Sequence, residues 1–157
     1  MKLVSPAFSA GGEIPSIHTC DGSGVSPELR ISDVPADARS LALIMHDPDS
    51  KTDWIHWTIW NIDPGTSVIP EGVVSAGTSQ GLNDFGVEGY GGPCPQVGRH
   101  RYVFELFALD ATLTLVPGAD AKTLHAALEG RTLVMTTLMG TYLRHLNVTT
   151  SIRYPGI

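Results

Sequence analysis

The chain has 157 residues, of which 42% are hydrophobic and 17% charged, and its formal net charge is −6 at neutral pH. These values are typical of one compact globular domain over residues 1–157, and they exclude an intrinsically disordered chain. Because no run of Lys or Arg offsets the negative charge, we expect neither nucleic acid nor an anionic membrane surface as a partner.

The N-terminal sequence MKLVSPAFSAGGEIPS lacks the continuous apolar stretch of a signal peptide. No segment approaches the roughly 18 apolar residues that a membrane-spanning helix needs. We therefore expect a cytoplasmic protein without a membrane span. The two cysteines, Cys20 and Cys94, are too few and too far apart in sequence for a disulfide framework, so a reducing compartment predicts free thiols.

The first part of the chain predicts short strands separated by turn residues. ELRISDV at 28–34 reads as a short strand, and SLALIMHD at 40–47 reads as a buried strand with a polar end. TSVIPEGVV at 66–74 reads as an edge strand that Pro70 limits.

Two further strands carry apolar residues on both of their alternating faces. They are WIHWTIWNID at 54–63 and HRYVFELFALD at 100–110. Such strands must be covered on both sides, which predicts positions in the middle of a sheet. Strict alternation in the first strand gives one face with Trp54, His56, Thr58 and Trp60, and another with Ile55, Trp57 and Ile59.

Residues 75–99, SAGTSQGLNDFGVEGYGGPCPQVGR, form a long glycine-rich stretch with neither helical nor strand periodicity. Structureless connections longer than about 12–15 residues are uncommon in compact domains and are often functional. The aromatic residues Phe85 and Tyr90 and the rigid Pro-Cys-Pro sequence favour an ordered loop. We therefore expect this loop to form the wall of a site.

The C-terminal part predicts two helices. DAKTLHAALEG at 120–130 has Asp120 as N-cap and ends at Gly130. TLVMTTLMGTYLRHL at 132–146 carries an apolar stripe at helical spacing, formed by Met135, Leu138, Met139, Tyr142 and Leu146. The fold class is therefore mainly β with two C-terminal helices.

Several polar residues stand where core packing does not explain them. Each of the two strands with apolar residues on both faces begins near a histidine, His56 or His100. Asp47 and Asp49 come at the end of another strand. If the strands meet at one end of the sheet, the imidazoles and carboxylates share a pocket. Two imidazoles beside exposed backbone N–H groups, for which the Gly91–Gly92 pair leaves room, would suit an oxyanion or a phosphate.

Structural explanations compete with each of these assignments. A histidine on an apolar strand is more often a hydrogen-bonded core residue than a ligand-binding one. The Asp-Pro-Asp sequence could be a turn with Asx hydrogen bonds, and Tyr102 could be ordinary aromatic packing. His46 should point to the face opposite Asp47, which makes it a weak candidate.

Taken together, the motifs are more specific than any one of them. DPDSKTDWIHWTIWNI, GYGGPCPQVGRHRYVFELFALD and the earlier GEIPSIHTCDG resemble the phosphatidylethanolamine-binding protein family, in particular its prokaryotic, Raf kinase inhibitor-like branch. The resemblance runs from about residue 12 to residue 142. It implies an antiparallel β-sandwich around a central sheet, with a small anion-binding pocket at one end.

The resemblance also assigns the ligand-binding residues. The matching positions are Asp47, Asp49, His56, Gly92, Pro93, His100 and Tyr102. Two departures from the family pattern are visible: Ser50 and Lys51 replace the usual Ala-Pro, and the sequence ends soon after the second predicted helix, so we do not expect the longer C-terminal element of eukaryotic relatives. Lys51 could add a positive charge at the pocket mouth.

These observations predict a binding module for a small phosphate-like anion or a phosphorylated headgroup, with no cofactor and no metal. A regulatory role is a further implication of the resemblance, and a homodimer is left open. The alternative is a small enzyme that uses the two histidines and a carboxylate for acid–base or metal-assisted chemistry.

Overall fold

The structure is a computed structural model that describes residues 1–145. The described residues form eight strands, one α-helix and a single 3-10 turn at Ser16–His18. The elements are β1 (Lys2–Val4), β2 (Leu29–Ser32), β3 (Ser40–Asp47), β4 (Trp54–Ile62), β5 (Val68–Ile69), β6 (Ser79–Gln80), β7 (Arg99–Leu109), α1 (Ala121–Leu128) and β8 (Thr132–Leu143).

The strands form two antiparallel sheets. The larger sheet has the order β6-β4-β3-β7-β8, and the smaller has the order β1-β2-β5. One face of the larger sheet shares its core with the smaller sheet, and we call this the inner face. The opposite, outer face is covered by α1, whose Leu124 and Leu128 pack near Ile44 and Trp60. This arrangement confirms the mainly β fold class.

The positions of β4 and β7 confirm that the two strands with apolar residues on both faces lie inside the larger sheet. They are not neighbours, since β3 lies between them. Each is antiparallel to β3, and therefore both begin at the edge where β3 ends with Asp47. The topology thus brings the N-terminal ends of β4 and β7 together without direct pairing.

The first predicted C-terminal helix is confirmed as α1. Asp120 caps it by accepting a hydrogen bond from the backbone N–H of Thr123 at 2.8 Å. Gly130, with φ of 71°, follows the helix in the left-handed conformation that glycine adopts without strain. Within residues 1–145, no helix has the length and apolar character needed to cross a bilayer.

The second predicted helix is wrong, because residues 132–143 form the strand β8. The sequence TLVMTTLMGTYL contains four threonines and a valine, whose β-branched side chains favour extended backbone. Pairing with the whole length of β7 outweighs the helical stripe. Leu138 and Tyr142 are buried, whereas Met135 is exposed, and Leu146 lies outside the described residues.

Candidate ligand-binding site

A cavity of about 690 Å³ opens at the edge of the sheet where β3 ends and β4 and β7 begin. Its wall combines the turn after β3, the start of β4 and β7, and two parts of the long loop. The lining residues are Asp47, Asp49, Ser50, Lys51, Thr52, Trp54, His56, Phe85, Cys94, Pro95, Gln96, Val97 and His100.

Asp47 is the buried carboxylate that organises this end of the sheet. Its side chain is 5% exposed, and its Oδ1 accepts hydrogen bonds from the backbone N–H groups of Asp49 at 2.9 Å and Ser50 at 3.1 Å. Its Oδ2 accepts a hydrogen bond from Nδ1 of His100 at 2.7 Å. The carboxylate therefore serves three donors and fixes both the turn and the imidazole.

The hydroxyl of Ser50 completes the turn between β3 and β4. It donates to the backbone carbonyl of Asp47 at 3.0 Å and accepts from the backbone N–H of Trp54 at 2.8 Å. These two bonds hold the turn closed at the residue where the resemblance leads one to expect alanine. The neighbouring Lys51 is exposed and lines the cavity mouth.

Asp49 is paired with Arg101 rather than left free for a ligand. Its carboxylate accepts from the backbone N–H of Arg101 at 2.8 Å, from Nε at 3.0 Å and from Nη2 at 2.8 Å. These hydrogen bonds, led by the guanidinium, lower the pKa of Asp49 to about 2. Asp49 therefore anchors the turn to β7 and presents little unpaired charge to the cavity.

His56 reaches the cavity because β4 has an irregular register against β3. Met45 pairs with Trp57 and His46 pairs with Ile55, so His56 is an extra residue without a partner, as in a β-bulge. Trp57 is buried in the core on the inner face. The His56 ring packs edge-on against Tyr102, which lies on the same inner face, with the ring centroids 5.2 Å apart. The prediction of strict alternation is therefore wrong at this point.

The His56 ring is buried and held by a single strong hydrogen bond. Its Nδ1 lies 2.6 Å from the backbone carbonyl oxygen of Gly91. The ring of Phe85 packs edge-on against the imidazole, with the ring centroids 5.3 Å apart. Burial lowers the pKa of His56 from its ordinary 6.5, and the carbonyl of Gly91 and the carboxylate of Asp47 oppose this only in part. The ring is consequently neutral at neutral pH.

The loop that carries Phe85 is ordered by a buried asparagine. Asn83 is 3% exposed, its Nδ2 donates to the carbonyl of Gly89 at 2.9 Å, and its Oδ1 accepts from the N–H of Phe85 at 2.9 Å. The side-chain bonds of Asn83 thus replace regular secondary structure and place an aromatic ring on the cavity wall. The expectation that the long loop lines a cavity is met by Phe85 and by residues 94–97.

The two glycines of the loop serve close packing. A Cβ atom on Gly91 would lie 2.4 Å from Cδ2 of Phe85, and one on Gly92 would lie 2.7 Å from the carbonyl oxygen of His18. Neither Gly92 nor Pro93 lies on the cavity wall. Their predicted role in approaching a ligand therefore stays a prediction, while the structure shows a packing role.

Cys20 and Cys94 form a disulfide, so the prediction of free thiols is wrong. The two residues are 74 apart in sequence, yet their Cα atoms are 5.4 Å apart. Gly92 lets the loop lie directly on the backbone at His18, and the N–H of Cys20 donates to the carbonyl of Pro93 at 3.1 Å. The disulfide therefore ties the cavity loop to the N-terminal segment.

Tyr102 lies behind the cavity rather than on its wall. The residue is fully buried, and its hydroxyl has no hydrogen-bond partner within the described residues. Burial raises the pKa of Tyr102. Of the seven residues predicted for the site, Asp47, Asp49, His56 and His100 line the cavity, whereas Gly92, Pro93 and Tyr102 pack around it.

The sequence did not indicate three features of the site. The Asp49–Arg101 pair, the Ser50 hydroxyl and the disulfide all depend on which segments meet in space, and no local spacing identifies them. In the described part of the chain, no cluster of three or more His, Cys, Asp or Glu side chains has an arrangement that could hold a metal ion.

A second polar cluster lies behind the site, on the outer face of the sheet. We call it the outer cluster; it consists of His46, Asp53 and Glu105. Nδ1 of His46 lies 2.6 Å from Oδ1 of Asp53, and Nε2 lies 3.7 Å from Oε1 of Glu105. The two carboxylates, Glu105 first and then Asp53, raise the pKa of His46 to about 9.

The sequence is similar to a known family over most of its length. Residues 4–143 match the family model described as phosphatidylethanolamine-binding protein. A UPF0098 protein of Methanothermobacter thermautotrophicus is 47% identical over 150 residues, which cover 92% of this chain and 99% of that protein. A UPF0098 protein of Chlamydia trachomatis is 43% identical over 148 residues, covering 90% of this chain and 98% of that protein.

Two solved structures share the fold. CT736 from Chlamydia trachomatis, described as a homologue of phosphatidylethanolamine-binding protein, superposes with a TM-score of 0.86 and 42% identity, covering 90% of this chain and 96% of its own. YbcL from E. coli, described as a member of the mammalian family, superposes with a TM-score of 0.85 and 27% identity, covering 91% and 98%.

Proposed function

Because the chain belongs to the phosphatidylethanolamine-binding protein family, we propose that its cavity binds a small phosphate-like anion or a phosphorylated headgroup. The observation that carries this proposal is the pair of imidazoles, His56 from β4 and His100 from β7, on one cavity wall. A cavity of about 690 Å³ falls in the usual range for small-molecule sites.

The charges around the cavity support an anion in spite of the net charge of −6. Asp49 is neutralised by Arg101, and Asp47 is engaged by His100 and two backbone N–H groups. Lys51 adds a cation at the mouth. Protonation of either imidazole would supply a charge-assisted hydrogen bond to the anion.

An NMR titration of the full chain with inorganic phosphate and with phosphoethanolamine tests this proposal. We expect His56→Ala and His100→Ala each to weaken binding at least about tenfold, because each removes a group that contacts the anion. Binding should tighten as the pH falls, because protonation converts Nε2 of an imidazole from an acceptor into a donor for the anion.

The matched control is His125→Ala, which removes an exposed imidazole from α1, away from the cavity. This variant should bind phosphate like the unmodified chain. Binding that persists unchanged in both cavity variants would overturn the proposal.

One observation favours an enzymatic alternative. His100 is oriented by a buried carboxylate through Nδ1, which is the arrangement that prepares Nε2 as a general base or acid. The nearby Ser50 hydroxyl is no ready nucleophile, because it is already bonded to Asp47 and Trp54. Hydrolysis of an aryl phosphate that disappears in His100→Ala would favour this alternative.

A regulatory role of the Raf kinase inhibitor-like kind, a homodimer and a cytoplasmic location stay predictions. The disulfide argues against the cytoplasmic location, because disulfides are rare in strongly reducing compartments outside hyperthermophiles. Light scattering of the full chain in solution tests the homodimer.

A further inference from the structure

The two cavity imidazoles share one feature that determines which atoms face a ligand. Each uses Nδ1 for a hydrogen bond to a protein oxygen: the Gly91 carbonyl for His56 at 2.6 Å, and Oδ2 of Asp47 for His100 at 2.7 Å. A carbonyl oxygen can only accept, so Nδ1 of His56 carries the proton. In the neutral ring, Nε2 then has a lone pair and no proton.

Nε2 of His56 is accessible from the cavity. The ring lines the cavity wall. Within residues 1–145 no protein group forms a hydrogen bond with Nε2, and this atom is not fully buried. At neutral pH the inner end of the cavity therefore offers a hydrogen-bond acceptor to a ligand, and an anion oxygen without a proton would face this lone pair unfavourably.

The surroundings of His56 keep the ring neutral. The apolar rings of Phe85 and Tyr102 cover it, and burial is the largest influence on its pKa, which it lowers. The carboxylates of Asp47 and Asp84 and the carbonyls of residues 91 and 92 act in the opposite direction.

The other charged or titratable groups on the cavity wall lie on different elements from β4. They are Asp47 at the end of β3, Asp49 and Lys51 in the turn after it, and His100 on β7. Lys51 can donate to an anion, whereas Asp49 is occupied by Arg101. His100, whose Nδ1 is held by Asp47, can donate through Nε2 only when its ring carries a second proton.

We propose that the cavity selects an anion that brings its own proton, such as hydrogen phosphate, and rejects a proton-free anion of the same shape, such as sulfate. The P–OH group donates to Nε2 of His56, and the remaining oxygens accept from Lys51, and from His100 when its ring carries a second proton. This inference rests on the proposed anion-binding function and defines its ligand class more narrowly.

The test is a comparison of inorganic phosphate with sulfate at constant ionic strength, with affinities from calorimetry or NMR on the full chain. Near pH 7.5 we expect sulfate to bind at least about tenfold more weakly, because a site built around a hydrogen bond rejects an analogue that cannot make it. As the pH falls and His56 gains a second proton at Nε2, the ring becomes a donor, and sulfate binding should approach that of phosphate.

Substitutions of the two histidines identify the responsible ring. His56→Ala removes the acceptor, so although both anions bind more weakly, phosphate and sulfate should bind with about equal affinity near pH 7.5. In His100→Gln the preference should persist, because the acceptor of His56 remains. His125→Gln on α1 is the control for a substitution outside the cavity.

The outcomes separate this inference from the function on which it rests. Equal affinities of the unmodified chain for phosphate and sulfate near pH 7.5, or an unchanged preference in His56→Ala, would overturn the proton requirement and leave anion binding intact. Absence of binding for both anions would overturn the anion-binding function itself.

Discussion

His46 and His56 lie on neighbouring strands, yet the protein gives them opposite chemistry. His46 faces two carboxylates on the outer side of the sheet, and its pKa rises to about 9. His56 faces a carbonyl and two aromatic rings on the inner side, and burial lowers its pKa. The partners available on each face, rather than the residue type, decide whether an imidazole is a fixed cation or a neutral acceptor.

The two sides also differ in how they are held together. The inner side is held covalently by the disulfide and through hydrogen bonds by the buried carboxylate of Asp47. The outer cluster depends on side chains that are partly exposed, Asp53 to 59% and Glu105 to 24%. Disruption should therefore have larger effects on the inner side.

Removal of the disulfide should have the largest effect. We expect the Cys20→Ser/Cys94→Ser variant to lose about 2–4 kcal/mol of unfolding free energy, because the link closes a long loop of the unfolded chain. Urea unfolding measures the loss, and phosphate affinity should fall with it because Cys94 lines the cavity. The titration of His46 should not change; a shift there would mean that the two faces are coupled.

Loss of the charge on Asp47 should come next. In Asp47→Asn we expect a loss of about 2–3 kcal/mol of unfolding free energy. The buried carboxylate accepts three hydrogen bonds, and the amide that replaces it has one oxygen and an NH2 group that can only donate. The matched substitution in the outer cluster is Asp53→Asn, which should cost less than about 1 kcal/mol because Asp53 is exposed. Similar losses in the two variants would contradict the difference between the faces.

The pH dependence of stability should show the smallest effect, with opposite signs for the two rings. The raised pKa of His46 gives stability that is fully present below about pH 6.5 and is lost as the pH rises through about 9. The lowered pKa of His56 gives the reverse: its contribution is present above about 6.5 and is lost as the pH falls.

His46→Gln makes this prediction measurable. Relative to the unmodified chain it should lose about 1–2 kcal/mol of unfolding free energy near pH 6 and almost none near pH 10. Ring resonances followed by NMR report each histidine directly. If both rings titrated near 6.5, the opposite environments described for them would be wrong.

Much of the fold could be predicted from local sequence. The strands at 40–47, 54–63 and 100–110 and the helix that Asp120 caps follow from apolar patterning and capping, and the structure confirms them. The second helix failed because residues 132–143 carry an apolar stripe at helical spacing and β-branched residues at once. Pairing with β7, a long-range interaction, decided between the two.

For the candidate site, the sequence supplied the residue types but not their partners. His56, His100 and Asp47 could be grouped because each stands at a strand end without a packing explanation. The pairing of Asp49 with Arg101 could not, because these residues are 52 positions apart and meet only through the sheet. The same holds for the disulfide, which depends on the close approach that Gly92 permits.

The extra residue in β4 has a consequence for how this site tolerates change. A substitution at His56 alters one side chain, whereas deletion of a single residue there would restore regular pairing with β3. The imidazole would then be lost or turned towards α1, even if every other residue of the site stayed in place. The length of this strand is therefore as important for the geometry of the cavity wall as the identity of its histidine.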